Sequence, residues 1–406
     1  MVLAGGSLHS AIASPTYVYQ QTIAIPGATA AHPFTGYDLS VFDPTTQLYY
    51  LTDRSNNGID VFSSATNMFV ERIGAGLFAG SQGGNNDIAG PNGISLSNFG
   101  TGKLLIVGNG PSNLITFNLD ATGMIAGAPR TTSTAVAGTP VPQNRVDGVA
   151  FAPTTNVILA ANNASNPGFL TLVNNATGAV IRTILLNGTG GYPDVGGNGV
   201  EATIFNTSRG TFFVAVPFLN AAGTGAGGVI ELDATTGNLL HTYDFNAMGL
   251  SGVCSPTGLV QGGGASMFAA CSDPLAGHSV ILDPAGAGSL RSVNGISGGD
   301  QTAYDPTNNT FFEASRFQVG GPVLGVVDAQ TLALQLLAIG PNDHSVAVDP
   351  ITNEVFVATA ATTAFADCAN GCIGVFAVRQ VPEPETAPLI GIAVAGLALA
   401  RRFRRS

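Results

Sequence analysis

The apolar positions of this chain fall in short runs, each interrupted by a polar turn, and the same arrangement recurs along it. Residues 37–44, 146–153, 299–306 and 343–350 align without a gap; each ends on a Pro and is followed by a Thr/Asn-containing turn and a second apolar run. This pattern reads as strand, turn, strand. The Pro fixes φ where the first strand has ended, and Thr and Asn favour turn geometry. Looser copies begin at Asn92, Asn198 and Thr257, which makes seven copies spaced 43 to 59 residues apart. Self-similarity at that period is the signature of a repeat architecture.

A third strand follows each pair, and in six copies a hairpin leads into a fourth. Clear turns lie at residues 120–123, 175–178 and 233–237, with a variant at 64–67. Their Asp or Asn side chain bonds the backbone two residues on, and Gly supplies positive φ. The seventh copy ends on a third strand at 373–378, whereas residues 17–25 form a lone strand with no partner before them. Lending that strand to the last copy closes a ring and removes the free edges of an open array. The prediction is an all-β, seven-bladed β-propeller closed by its N-terminal strand, spanning 14–380. A copy of about 50 residues is too long for a β-helix coil, and an open sandwich array would leave its edges bare. These blades resemble the YVTN, NHL and surface-layer-type propeller repeats over residues 16–380. The resemblance implies the fold and no single function, because the scaffold hosts binders, lyases, lactonases and dehydrogenases.

Residues 381–406 break from the pattern. Val381-Pro382-Glu383-Pro384 precedes an uncharged apolar run from Ala387 to Ala400 and then Arg401, Arg402, Phe403, Arg404 and Arg405. As a helix the run would rise about 21 Å, against roughly 30 Å of bilayer hydrocarbon. Its large aliphatic side chains favour insertion by only about 2 to 3 kcal/mol, so the expected helix is a marginal, temporary span. The arginines hold the C-terminus in the cytoplasm and leave the preceding chain outside. A buried soluble helix would show a polar face, and this one shows none. The segment resembles the PEP-CTERM sorting tail of Gram-negative exopolysaccharide producers. That resemblance implies recognition and removal by an exosortase-type membrane enzyme, and delivery to the periplasm, cell surface or biofilm matrix.

Composition agrees with export. Charged residues are 10%, Gly numbers 54, and the net charge is −11, with Lys103 the only lysine. A nucleic-acid partner would need a basic stripe that this chain lacks. Four cysteines fall in two local pairs, Cys254 with Cys271 and Cys368 with Cys372. Disulfides in an oxidising compartment are the first reading, and buried free thiols remain open; a zinc site has neither the spacing nor a nearby His. Residues 1–13 read as a truncated or degenerate signal segment. Ala11-Ile12-Ala13 suits signal peptidase, but the stretch before it lacks a basic start and a full apolar core, so the expectation is a start assigned too late.

One position per copy, at the start of the innermost strand, is expected to face the mouth of the central channel: Asp38, Asn92, Asp147, Asn198, Thr257, Asp300 and His344. Such a ring of oxygens suits Ca²⁺ and loosely resembles the mouth of calcium-dependent lactonase propellers. The competing reading has the same Asp and Asn side chains bonding backbone amides at strand entry. His344 is the ring member that could serve as a general base. Residues 295–299 match G-x-S-x-G, but a strand follows where a nucleophile elbow needs a helix. The expected function is a non-catalytic binding or structural module with no required cofactor, taking a glycan, peptide or envelope protein at the mouth. A calcium-dependent, lactonase-like hydrolase is the alternative.

Overall fold

The computed structural model describes residues 15–136 and 144–379. The expected signal segment 1–13 and sorting tail 381–406, with its short helix, lie outside the described residues. Among the described residues the strands form seven four-stranded antiparallel sheets. Six are built from consecutive strands. In the seventh, Tyr17–Ala24 adds to the outer edge of Cys372–Val378, ahead of Glu354–Thr359 and Ser345–Asp349. Counting blades from Tyr37, the inner strands are Tyr37–Asp43, Ile94–Phe99, Val149–Ala152, Thr203–Asn206, Pro256–Gln261, Thr302–Asp305 and Ser345–Asp349. Each touches the next and the first touches the last, so the ring is closed. The protein is a seven-bladed β-propeller sealed by its N-terminal strand.

The Pro-containing turns show why the repeat reads as it does. Asp43, Asp305 and Asp349 each accept a hydrogen bond from the amide two residues on, at 3.0, 2.8 and 2.8 Å. The last turn residue, Gln47, Asn156, Asn309 or Asn353, then takes φ of 54, 57, 50 or 58°. Asn tolerates that left-handed conformation better than most residues. Blade two departs from the expected hairpin. The turn at Asp120 returns only an isolated bridge between Leu119 and Ile125, and the outer strand Arg130–Ser133 forms after Pro129, which has no amide hydrogen for the ladder.

Apolar faces of neighbouring blades pack into separate cores, as where Leu159 and Leu172 of blade three meet Phe212 and Ile230 of blade four. Blades one and seven meet at Tyr49 stacked on Phe356, 5.2 Å between centroids. The scarce cations act as ties between blades. Arg130 reaches Asn175, Arg182 reaches Asn238, and Arg291 reaches the carbonyl of Ala329, each from the outer strand of one blade to the next blade's turn. Gln335 of blade six makes the corresponding tie to the closing strand, accepting from Tyr17 N at 2.9 Å and donating to Tyr17 O at 2.8 Å. Two disulfides add local staples: Cys254–Cys271 in blade five, and Cys368–Cys372 at the start of blade seven's third strand.

Candidate functional site

The two faces of the disc differ. On one face the strands are joined by tight turns; on the other the connections are longer, such as 74–93, 186–202 and 217–227. The inner strands start on this second face, so the ring position opens among the long loops. A channel of about 910 Å³ runs down from it, within the range of small-molecule sites.

Glycine after the ring position lets neighbouring blades close in at the mouth. A Cβ on Gly93 would lie 1.4 Å from the carbonyl oxygen of Asp147, and one on Gly148 would lie 2.4 Å from that of Glu201. Side chains at these two points would push the ring apart. Below, Gln301 crosses from blade six to blade one: its Oε1 accepts from Ser40 N at 3.1 Å and Val346 N at 3.0 Å, and its Nε2 donates to Ser40 O at 2.6 Å.

Asp38, Asp147, Thr257, Asp300 and His344 line the channel. Asn92 is fully buried behind the rim, where its Oδ1 accepts from Arg54 and its Nδ2 donates to the carbonyls of Ala89 and Val146. Asn198 differs from its expected place. It sits in the loop before blade four and donates to the carbonyls of Val195, Asn220 and Ala221. The ring position of that blade belongs to Glu201, four residues before Phe205, as Asp147 is four before Phe151. Asn198-Gly199-Val200 imitates the Asn92-Gly93-Ile94 copy and shifts the alignment by three residues.

Arginines answer most of the carboxylates. Arg54 Nη2 lies 2.6 Å from Asp38, Arg145 Nη2 3.0 Å from Asp147, and Arg316 Nη2 2.9 Å from Asp300. Arg54 and Arg316 leave the second strands of blades one and six, 16 residues after their partners, and Asn163 stands at the same spacing from Asp147, 2.6 Å away. That shared offset is the sequence signal for the pairing. Arg145 enters from the connection before blade three, where no repeat marks it.

Thr257 turns aside, donating to Gly299 O at 2.9 Å. His344 is buried; its Nδ1 donates to Asn342 O at 2.6 Å, and its Nε2 lies 3.6 Å from Asp38 Oδ1. Tyr37 stacks on its ring, 4.7 Å between centroids. With one nitrogen bonded to backbone and the other facing a carboxylate, His344 is held as part of the wall.

These contacts divide the acids. Burial pushes Asp38 up, but Arg54 and then His344 outweigh it and hold its carboxyl well below the usual range. Burial moves Asp147 up to about 6, with Arg145 opposing and Asp38 adding. Glu201 is pushed up to about 8 by burial and then by Asp147 and Asp300, which Arg145 only partly offsets. Three carboxylates are therefore committed to guanidinium groups, an arrangement that does not suit the hard-cation cage considered from sequence. Among the described residues no three His, Cys, Asp or Glu side chains group so as to hold a metal ion.

The fold and mouth define a β-propeller whose channel opens through a charged rim. No family model matches the chain, and no curated protein sequence does either. Among solved structures it is similar to the WD40 repeats of RRP9, with a TM-score of 0.59 and 11% identity over 91% of this chain and 100% of that one. It is also similar to Kuenenia stuttgartiensis hydrazine synthase, with a TM-score of 0.58 and 12% identity over 88% and 99% of the two chains. At such identities the likeness is one of fold alone.

Proposed function

We propose that this chain is a non-catalytic binding module of the bacterial cell surface or exopolysaccharide matrix, a rigid disc that takes its ligand at the channel mouth. The observation that carries this reading is the rim itself, where Asp38, Asp147 and Asp300 are paired with Arg54, Arg145 and Arg316 at the opening of a ligand-sized channel. Paired, preorganised charges suit recognition of a polar ligand. The base considered for a hydrolase, His344, has its Nδ1 on a backbone carbonyl and its Nε2 against Asp38.

A thermal-shift panel of small organic ions on the full chain should give stabilisation that is lost in an Asp147→Asn, Arg316→Ala double variant. Turnover of γ- or δ-lactones with added Ca²⁺, abolished by the same double variant, would overturn the non-catalytic reading.

The address is part of the same proposal. Pro382-Glu383-Pro384, the apolar run to Ala400 and the arginines at 401, 402, 404 and 405 support transient membrane insertion and exosortase processing. In an exosortase-bearing host, replacing Pro382, Glu383 and Pro384 by Ala should yield a longer, membrane-retained product. A product of unchanged mass and location would count against it.

A further inference from the structure

The channel is chemically two-ended. Ionic side chains crowd the rim, while the shaft below carries half-buried apolar groups, among them Leu39, Val41, Ile204, Phe205, Val260 and Tyr304, set between hydroxyls such as those of Ser95 and Ser97 and above the Lys103–Asp43 pair. From Glu201 to Phe205 the chain descends about 13 Å if extended, so rim and shaft belong to one continuous cavity. Apolar surface left open in a channel gains by covering itself with apolar ligand atoms.

The rim is also unbalanced. Arg54, Arg145 and Arg316 pair with Asp38, Asp147 and Asp300, and Glu201 is left over. Among the described residues its hydrogen-bond partner is Asn163 Nδ2 at 3.5 Å, and no ion pair reaches it. It stands in the combined field of Asp147 and Asp300, which with burial opposes its ionisation until a cation is beside it.

We propose that the channel binds a small amphiphile with a cationic head, such as an alkylammonium, seating the head at Glu201 and the apolar body in the shaft. This deepens the mouth-binding reading and rests on it. A cation at the head position supplies the counter-charge that Glu201 lacks, and the chain covers the apolar wall between Ile204 and Tyr304.

Proton linkage follows. The groups facing Glu201 are Asp147 and Asp300, Arg145 and the amide of Asn163, and with burial they hold its carboxyl up at about 8. A cation must ionise it on binding, releasing a proton to solvent, so affinity should improve roughly ten-fold from pH 7 to pH 9.

The experiment is calorimetric titration of the full chain with alkyltrimethylammonium ions from tetramethyl to decyl, kept below micelle-forming concentrations, with decyl sulfate as the opposite-charge control. Affinity should rise roughly three- to four-fold per added methylene until the shaft is full, and Glu201→Gln should weaken binding about ten-fold or more. Ile204→Asn should weaken the decyl compound and spare tetramethylammonium. Glu201-dependent binding of tetramethylammonium with no gain from chain length would overturn the amphiphile and leave the mouth site standing. A chain-length gain indifferent to Glu201→Gln, or decyl sulfate binding as tightly, would overturn the cationic head. No affinity for any probe in the series overturns this inference, while the thermal-shift panel with the Asp147→Asn, Arg316→Ala variant judges the mouth site separately.

Discussion

Deleting residues 15–24 is expected to abolish cooperative folding of the disc, although the deletion touches no residue of the rim. The segment supplies the outermost strand of blade seven, pairing from Tyr17 with Val378 to Ala24 with Cys372. Tyr17 is fully buried, edge-on to Phe312 at 5.1 Å, and both of its backbone polar groups are held by Gln335 of blade six. Without this strand, blade seven loses the Gln335 tie to blade six's outer strand, and the apolar Cys372–Val378 becomes an exposed edge that templates aggregation. A milder test is Tyr17→Ala, which should cost about 3–5 kcal/mol as a large-to-small change in the core, read as a shift in the denaturant midpoint. A synthetic peptide of residues 15–25 added in trans should protect the truncated chain from proteolysis. If the truncated chain unfolds at the full-length midpoint, the strand does not close the ring.

The closure was legible because strands can be counted. A last copy one strand short and a first strand without a partner solve each other, and the Pro-containing turns keep the count in register. The rim was most legible where those turns stand. Asp38, Asp300 and His344 lie five residues before an Asp-Pro pair, and Asp147 five before Ala152-Pro153. Blade four has Asn206-Thr207 at that point and no Pro, so nothing fixed its register, and the mimic at Asn198 displaced Glu201. Ion pairing was harder to read because it joins different strands: Arg54 meets Asp38 only once the second strand has been folded back beside the first. The apolar shaft was hidden for another reason. Val41, Ile204 and Val260 look like ordinary core positions of a strand, and only the closed ring sets them around a common space.

Stability should fall as pH rises from about 5 to 9, the reverse of what an acidic chain rich in ordinary ion pairs would show. Besides Glu201 at the rim, four buried acids favour their protonated forms in the fold. Asp53 is pushed up to about 8 by burial and then by Asp60, whose carboxylate shares Arg72 with it. Glu313 rises to about 7 through burial, with Ser279 and Ser315 opposing, and among the described residues no hydrogen bond reaches its Oε2. Asp343 also reaches about 7 through burial despite bonds from Thr359 and Gly340 N, and Asp147 reaches about 6.

For an acid whose folded pKa is raised, the contribution to stability is complete below the unfolded value near 4 and is lost as pH climbs through the folded value. These acids therefore withdraw stability across pH 4 to 8. Asp38 and Asp43 act in the opposite sense: burial raises both, but Arg54 for the first and Lys103 for the second prevail and hold them low, so their contribution disappears only in acid. The optimum should lie near pH 5.

A ten-fold change in acidity between the folded and unfolded chain corresponds to about 1.4 kcal/mol. Even a heavily discounted sum over the four acids leaves a loss on the order of several kcal/mol between pH 5 and 9, visible in denaturant midpoints at fixed ionic strength. Glu313→Gln should flatten part of that slope, because an amide keeps the shape of the protonated carboxyl without titrating. A midpoint that is level or rises over this range would mean that these carboxyls ionise in the fold without penalty, and that burial at Asp53, Glu313 and Asp343 is relieved by water reaching them.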